Sequence, residues 1–300
     1  MTSKFELLKS RVLTDFPSGS SINYRDGKLY LVGDDATDIL ILDTAYQRID
    51  SIHLLDYPEK RIPKPVKPDL EGSTFAAIRN SILFLVVGSA STKKREKLFV
   101  IPFLESGMDV SHHHVFDTSN LVAGLKEGGI QEVNMEGITV VANHLVLSNR
   151  GNRTNPTNYL IVTDLTFWEE KKNVRPRVLP VQIPDTADIV PGISDLCYIP
   201  SNDTLLIVLS SEMTANAYDD GTIGNSYIGW ITNFASKVQD PTLKVDQLIN
   251  LGVIHPDLRN QKIEGICVES IKDDTLVIHL ASDDDQGHTG LFKVRMNTKT

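Results

Sequence analysis

A short pattern that recurs five times along the chain restricts its fold more than any other feature. Each copy begins with Ser or Glu and continues with apolar residues at alternating positions, and successive copies start 51 to 70 residues apart. Four copies are clear, at residues 20–24, 136–140, 194–198 and 264–268. A weaker copy at 71–75 has Ser73 in place of the first apolar residue. Repeats of this length predict an architecture built from one supersecondary unit per copy.

The segments that follow each copy predict the nature of that unit. Period-two apolar runs, bounded by Gly, Asn, Asp and Pro, indicate strands. Second strands are predicted at 28–32, 82–87, 144–147, 204–209 and 275–280, and third strands at 38–43, 97–103, 158–164, 226–232 and 290–296. Fourth strands are predicted at 48–55, 112–116, 177–183 and 244–251. Four antiparallel strands repeated radially form a propeller blade. We therefore predict an all-β fold, a five-bladed β-propeller with four antiparallel strands per blade.

The last copy is one strand short, and residues 5–13 lie ahead of the first copy without a place in any blade. We expect this N-terminal segment to form a strand that closes the last blade and removes an exposed sheet edge. A helix over residues 5–13 is the alternative. The prediction is one domain over residues 1–300, with blades at approximately 17–57, 69–118, 134–184, 192–252 and 263–297 plus 5–13.

The first residue of each copy is the main candidate for chemistry, because the first strand of a blade lines the central channel. Around the ring these residues are Ser20, Glu71, Glu136, Ser194 and Glu264. Converging carboxylates repel one another, and a bound cation would relieve the repulsion. Oxygen ligands alone favour Ca²⁺ or another hard divalent ion over zinc. The alternative is that the Glu-Gly pairs are turn residues, with Gly required for packing and Glu solvated in the channel.

Short segments in all five blades resemble the calcium-activated nucleotidases, or soluble apyrases. They are residues 27–30 with Asp34-Asp35, Glu71 with 85–88, Glu136 with Arg150, residues 192–194 and 198–202 with Ser211-Glu212, and residues 263–266. The resemblance implies a five-bladed propeller with a calcium ion in its channel. Ala36 stands where the family has an arginine, and Ser210 where it has a lysine. The recurrent Glu-Gly-Ile is also similar, more loosely, to bacterial phytase-like esterase propellers and uncharacterised relatives.

Two functions follow from the resemblance. In the first, the channel ion holds the blades together, no cofactor other than the ion is required, and the channel mouth binds a small-molecule or protein ligand. In the second, calcium assists hydrolysis of a phosphoanhydride, such as a nucleoside diphosphate, or of an ester. Asp35, Arg150 and Glu212 are then the candidate catalytic residues on the rim. The missing phosphate-binding arginine favours the first function.

Composition excludes several partner classes. A net charge of −9 and an isoelectric point near 5.4 disfavour a nucleic-acid polymer and an anionic membrane, since both attract basic proteins. The sequence has no segment of signal-peptide type and no stretch of about 20 apolar residues. The expected location is cytoplasmic for the sequence as given, and extracytoplasmic if a leader was removed. The chain has only two cysteines, and a chain of this size does not need a disulfide framework for its stability.

Overall fold

Five sheets follow one another along the chain and stand around a common axis as the blades of a β-propeller. The computed structural model describes residues 5–170, 174–184, 191–212, 214–216 and 221–297. The N-terminal strand is β1 (Glu6–Leu13). Blade 1 comprises β2 (Gly19–Arg25), β3 (Lys28–Gly33), β4 (Asp38–Asp43) and β5 (Arg48–His53). Blade 2 comprises β6 (Leu70–Ile78), β7 (Ser81–Gly88), β8 (Lys97–Leu104), the short β9 (Gly107–Met108) and β10 (His114–Asp117).

Helix α1 (Ser119–Glu127) leads from blade 2 into blade 3, which contains β11 (Met135–Val141), β12 (His144–Asn149), β13 (Asn158–Asp164) and β14 (Arg177–Gln182). Blade 4 contains β15 (Gly192–Ile199), β16 (Thr204–Glu212), β17 (Ile223–Thr232) and, after α2 (Phe234–Lys237) and β18 (Leu243–Lys244), β19 (Gln247–Asn250). After α3 (Leu251–Ile254), blade 5 contains β20 (Lys262–Lys272), β21 (Thr275–Asp283) and β22 (Thr289–Asn297). Short 3-10 helices occur at Lys93–Arg95, Val110–His112, Phe167–Glu169, Pro200–Asn202 and Pro256–Leu258.

Strand β1 completes the last blade. It pairs antiparallel with β22, from Glu6 opposite Arg295 to Leu13 opposite Thr289, with one register shift between Leu7 and Lys9. The predicted N-terminal closure is therefore confirmed, and the alternative helix over residues 5–13 is wrong. Pairing is antiparallel throughout the blades, apart from the short parallel contact of β18 with β14 that links blades 3 and 4. No helix in the described ranges has the length and the apolar character that a membrane span requires.

The hydrophobic core lies between the blades rather than at the axis. Five clusters of buried apolar side chains each join two neighbouring blades. In one of them Leu85 of blade 2 and Leu147 of blade 3 are both fully buried. Because alternating residues of every strand enter these clusters, the period-two pattern of the sequence sets the orientation of each blade. At the bulged end of the inner strands the axis is lined by polar and charged side chains.

The second residue of each repeat explains the recurrent Glu-Gly. A Cβ on Gly137 would lie 2.8 Å from the Cα of Asp195 in the next blade, and Gly72 and Gly265 are equally close to their neighbours. In blade 4 Asp195 takes this position, and its Oδ2 accepts a hydrogen bond from the N–H of Ile266 at 2.9 Å. Glycine thus allows close approach of the blades, and where it is absent a side chain bridges them.

Candidate functional site

In every blade the repeated Ser or Glu lies at a β-bulge between the first and second strands. In blade 1, for example, Gly19 pairs with Gly33 and Ser21 with Val32, which leaves Ser20 as the extra residue. The other bulges fall at the equivalent point of each blade, beside Glu71, Glu136, Ser194 and Glu264. A bulge re-aims the side chain of the extra residue and recurs next to functional sites. The five positions singled out by the sequence therefore share one backbone irregularity.

Three of the five predicted ligands line a single small cavity of about 70 Å³ at this end of the channel. They are Glu71, Glu136 and Glu264. The cavity is highly charged, with six carboxylates and five basic side chains among its lining residues: Asp34, Asp69, Glu71, Glu136, Glu212 and Glu264 on the acidic side, and Lys64, Lys67, Arg95, Arg150 and Lys262 on the basic side. Positive charges within the protein therefore offset most of the negative ones.

The two predicted serine ligands form hydrogen bonds with neighbouring strands and do not line this cavity. The Ser20 hydroxyl donates to the carbonyl oxygen of Leu70 at 2.5 Å and so joins blade 1 to blade 2. The Ser194 hydroxyl lies 2.8 Å from the hydroxyl of Ser210 on the adjacent strand. Both serines are buried. Both hydroxyl groups therefore already form hydrogen bonds within the fold.

Arg150 occupies the centre of the carboxylates from blades 3 to 5. Its terminal nitrogens lie 3.4 Å from Glu136, 3.3 Å from Glu212 and 3.7 Å from Glu264, and its side chain is only 7% exposed. Lys262 lies 3.0 Å from Glu264. Burial raises the pKa of Glu136 to about 8, although the charge of Arg150 opposes the rise. The expectation that these carboxylates need a bound ion overlooked two internal cations.

A second carboxylate group forms where blades 1 and 2 meet. Oxygens of Asp34, Asp69 and Glu71 all lie within 4.8 Å of one another. Asp34 follows strand β3, whereas Asp69 and Glu71 flank the first residue of β6. The N–H of Leu70 donates to the carbonyl oxygen of Asp34 at 3.2 Å, which fixes the two segments side by side. This arrangement brings together one residue of the predicted ring and two that the ring did not include.

Two basic side chains partly balance this group. Lys67 bonds to Asp34 and lies 2.8 Å from Asp69, and Arg95 lies 2.7 Å from the other oxygen of Asp69. Oδ1 of Asp34 is buried and has no hydrogen-bond partner. No lysine or arginine in the described part of the chain forms an ion pair with Glu71. One carboxylate of the three is thus left without a basic partner.

The titration behaviour of the same residues reflects this imbalance. Burial raises the pKa of Asp34 to about 7, with the charge of Lys67 acting in the opposite direction. Burial also raises the pKa of Glu71 well above its ordinary value, and the negative charge of Asp69 adds to the effect. Both shifts mean that the ionised carboxylates are costly here unless a positive charge joins them.

The three candidate catalytic residues do not form one group. Arg150 and Glu212 are 3.3 Å apart, whereas Asp35 pairs with Arg61 at 2.5 Å and does not line the cavity. Arg61 also forms an isolated β-bridge with Ala36. The connector between blades 1 and 2 therefore brings a basic side chain to Asp35.

Sequence reasoning missed the basic residues that pair with the channel carboxylates. Lys67 lies in an aperiodic connector that also carries Lys60, Arg61 and Lys64, and this basic run was the available signal. Lys262 stands two residues before Glu264 on the same strand, so it could have been placed at the channel. Arg95 lies in the 3-10 helix after β7, and its side chain is 4% exposed and bonded to Asp69.

Known structures share the fold at very low sequence identity. The glutaminyl cyclase of Myxococcus xanthus matches with a TM-score of 0.52 and 12% identity, over 98% of this chain and 97% of that one. A tail fiber of Staphylococcus aureus phage P68 matches with a TM-score of 0.50 and 10% identity, over 99% of this chain and 53% of the fiber chain. Virginiamycin B lyase from Staphylococcus aureus matches with a TM-score of 0.41 and 11% identity, over 97% of this chain and 99% of that one.

These identities are too low to carry an activity across, so the cyclase and tail-fiber matches show the fold alone. No curated protein matches the sequence. A family model described as "Family of unknown function (DUF6929)" matches residues 15–296, which include all of the strands except β1 and the last residue of β22. The chain therefore belongs to the DUF6929 family.

Proposed function

We propose that this propeller binds one divalent cation, calcium or another hard ion, at Asp34, Asp69 and Glu71. The bound cation would complete a binding site for a small-molecule or protein ligand at the charged mouth of the channel. The observation that carries the proposal is the convergence of three carboxylates within 4.8 Å. Glu71 has no basic partner among the described residues, and one oxygen of Asp34 is buried without a hydrogen bond.

The chemistry of these groups fits a hard cation. Calcium takes oxygen ligands, mostly carboxylates and carbonyls, and no nitrogen or sulfur ligand is needed. Lys67 and Arg95 supply two positive charges to three carboxylates, so one negative charge is left over. The oxygens best available to an ion are those of Glu71 and Oδ1 of Asp34. The ion would supply positive charge at the channel mouth, where an anionic group of a ligand can meet it.

This set differs from the ring predicted by the sequence, and only Glu71 is common to both. In the predicted ring Glu136 and Glu264 hold the ion, but both carboxylates lie within 4 Å of Arg150. An ion placed there would meet the repulsion of that guanidinium. Lys67 and Arg95 also lie beside Asp69, but in that group Oδ1 of Asp34 has no hydrogen-bond partner. We therefore favour the group between blades 1 and 2.

Binding is favoured over hydrolysis. Arg150 is the candidate for holding a phosphate, and both of its terminal nitrogens already contact Glu136, Glu212, Glu264 or Ser210. A phosphate would have to displace those groups, whose pairing with a buried guanidinium is strong. We expect no calcium-dependent turnover of nucleoside diphosphates or p-nitrophenyl esters by the purified protein.

Calcium titration of chelator-treated protein tests the proposal. Calorimetry should show one site, and calcium at about 100 times its Kd should raise the free energy of unfolding by about 2.7 kcal/mol. Glu71→Gln should abolish both effects because it removes the unpaired carboxylate. Glu169→Gln, a surface carboxylate that pairs with Arg79, is the matched control and should bind calcium normally.

A Glu136→Gln, Glu264→Gln double variant separates the two ligand sets. It should keep calcium binding if the ion lies at Asp34, Asp69 and Glu71, and lose it if the ion lies in the predicted ring. Failure of calcium, magnesium and manganese alike to bind the wild type, or undiminished binding by Glu71→Gln, would overturn the proposed function.

A further inference from the structure

The strands that carry the charged ring also line a second, much wider cavity toward the opposite end of the channel. Its volume is about 870 Å³, which falls in the range of about 300–1,000 Å³ typical of small-molecule sites. Apart from Ile82, its lining residues follow the first residue of a repeat by two to seven positions, and all five inner strands contribute. It shares no lining residue with the charged cavity.

An apolar ring surrounds this wide cavity. The fifth residue of every repeat lines it and is large and apolar or aromatic, and each of these side chains is only partly buried: Tyr24, Phe75, Val140, Tyr198 and Val268. The equivalent residues two positions earlier are buried between the blades. Apolar side chains that remain partly exposed in a concave surface gain free energy when an apolar ligand excludes water from them.

Arg25 is the cationic side chain of this cavity, and its acidic partner is an exposed residue. Its guanidinium carbon lies 5.3 Å from the ring centroids of both Phe75 and Phe103, and those two rings pack edge to face 5.0 Å apart. Its Nε is buried and has no hydrogen-bond partner. Only Asp26, whose side chain is 74% exposed, comes within 3.2 Å of it. Two aromatic rings thus hold a cation that has one exposed ion-pair partner among the described residues and no hydrogen bond to its Nε.

The other charged residue in the lining is already neutralised. Glu269 accepts from Nε2 of His279 at 2.7 Å and pairs with Lys293 at 2.6 Å. The charge that remains to be satisfied in the cavity is therefore positive. A ligand that matches the lining carries an anionic group for Arg25 and an apolar body for the ring.

We propose that the wide cavity binds an amphipathic organic acid. The carboxylate accepts two N–H donors from Arg25 in the bidentate geometry that guanidinium groups favour. The hydrocarbon part lies against the apolar ring defined above. This site is independent of the cation proposed at the other end, because the two cavities have different lining residues.

Three probes of equal chain length test the charge requirement: decanoate, decanol and decylammonium, each titrated by calorimetry below its micelle concentration into the full-length protein. Decanoate should bind at least about tenfold more tightly than decanol, as expected for one charge-assisted hydrogen bond, and decylammonium should bind most weakly. Arg25→Gln should weaken decanoate binding at least about tenfold and leave decanol binding nearly unchanged. The matched control is Arg48→Gln, an exposed arginine that pairs with Asp15 and should bind as the wild type does.

A second variant guards against misfolding of the first. Val140→Asp places a carboxylate in the apolar ring and should weaken both decanoate and decanol binding, while urea unfolding verifies that the variant is folded. Glu71→Gln should bind decanoate normally, which distinguishes this site from the cation site. Equal affinity of the wild type for decanoate and decanol, no binding of either, or wild-type decanoate affinity in Arg25→Gln would overturn the proposal.

Discussion

Replacing Arg150 with methionine tests whether an internal cation, rather than the metal expected from the sequence, compensates the channel carboxylates. Arg150 is 7% exposed, and Glu136, Glu212 and Glu264 lie 3.3 to 3.7 Å from its terminal nitrogens. One nitrogen also donates to the Ser210 hydroxyl at 2.9 Å. Methionine keeps much of the length of the side chain but removes its charge and all of its donors.

The expected loss of unfolding free energy depends on the ion pairs that remain in the variant. Removing one partner of a buried ion pair costs about 3–5 kcal/mol, because the other charge is left uncompensated. Lys262 still lies 3.0 Å from Glu264 and 3.8 Å from Glu212, so it retains part of the compensation. We therefore expect the lower end of that range, about 3 kcal/mol of unfolding free energy at neutral pH, measured by urea denaturation.

Three further variants show whether the loss is electrostatic. Adding Glu136→Gln to Arg150→Met should recover about 1–2 kcal/mol, because it removes one of the stranded carboxylates. Arg48→Met removes an exposed ion pair with Asp15 and should cost less than about 1 kcal/mol. In a Glu71→Gln background, Arg150→Met should also acquire calcium-dependent stabilisation that the parent lacks. A cost below about 1 kcal/mol for Arg150→Met would refute the assignment of Arg150 as the channel counter-ion.

Two other predictions concern stability. Deleting residues 1–13 removes β1 and exposes the edge of β22, so gel filtration should show association and urea unfolding should lose cooperativity; an unchanged unfolding curve would contradict the role of β1. Burial lowers the pKa of His279 to about 4, and on unfolding the pKa returns to its ordinary value near 6.5. Between these two values the unfolded chain binds a proton that the folded protein does not. The free energy of unfolding therefore falls as the pH falls through that interval. The unfolding free energy should drop by about 2 kcal/mol between about pH 7 and about pH 5 from this residue alone, and His279→Gln should show a correspondingly smaller drop; an identical drop in the variant would contradict it.

The fold could be predicted from the sequence because its information is periodic. The spacing of the repeats set the number of blades, and the alternation within each repeat set the strands. The unassigned segment at residues 5–13 then had one place left, opposite β22, where it is found. Even the bulges left a trace, since they fall beside the repeated Ser or Glu in every blade.

The site could be predicted only in part, because its counter-ions come from segments without a period. Glu71, Glu136 and Glu264 were placed at the channel by their position in the repeat, and all three line the charged cavity. Lys67 reaches the cavity from the connector between blades 1 and 2, and Arg95 from a loop after β7. Loop side chains pair over long sequence separations that no local pattern records. When these basic side chains are not taken into account, the carboxylate ring overstates the need for a metal ion.

The same five strands produce two ends of opposite chemistry, and the position in the repeat explains how. The first residue of each copy lies at a bulge, and in blades 2, 3 and 5 this residue is a Glu that lines the charged cavity. The third residue, such as Ile138, is buried between neighbouring blades. Two positions further on, the same face of the strand carries Val140, which is only partly covered and lines the wide cavity. Apolar side chains that would be core elsewhere therefore line the wide cavity at this end of the inner strands.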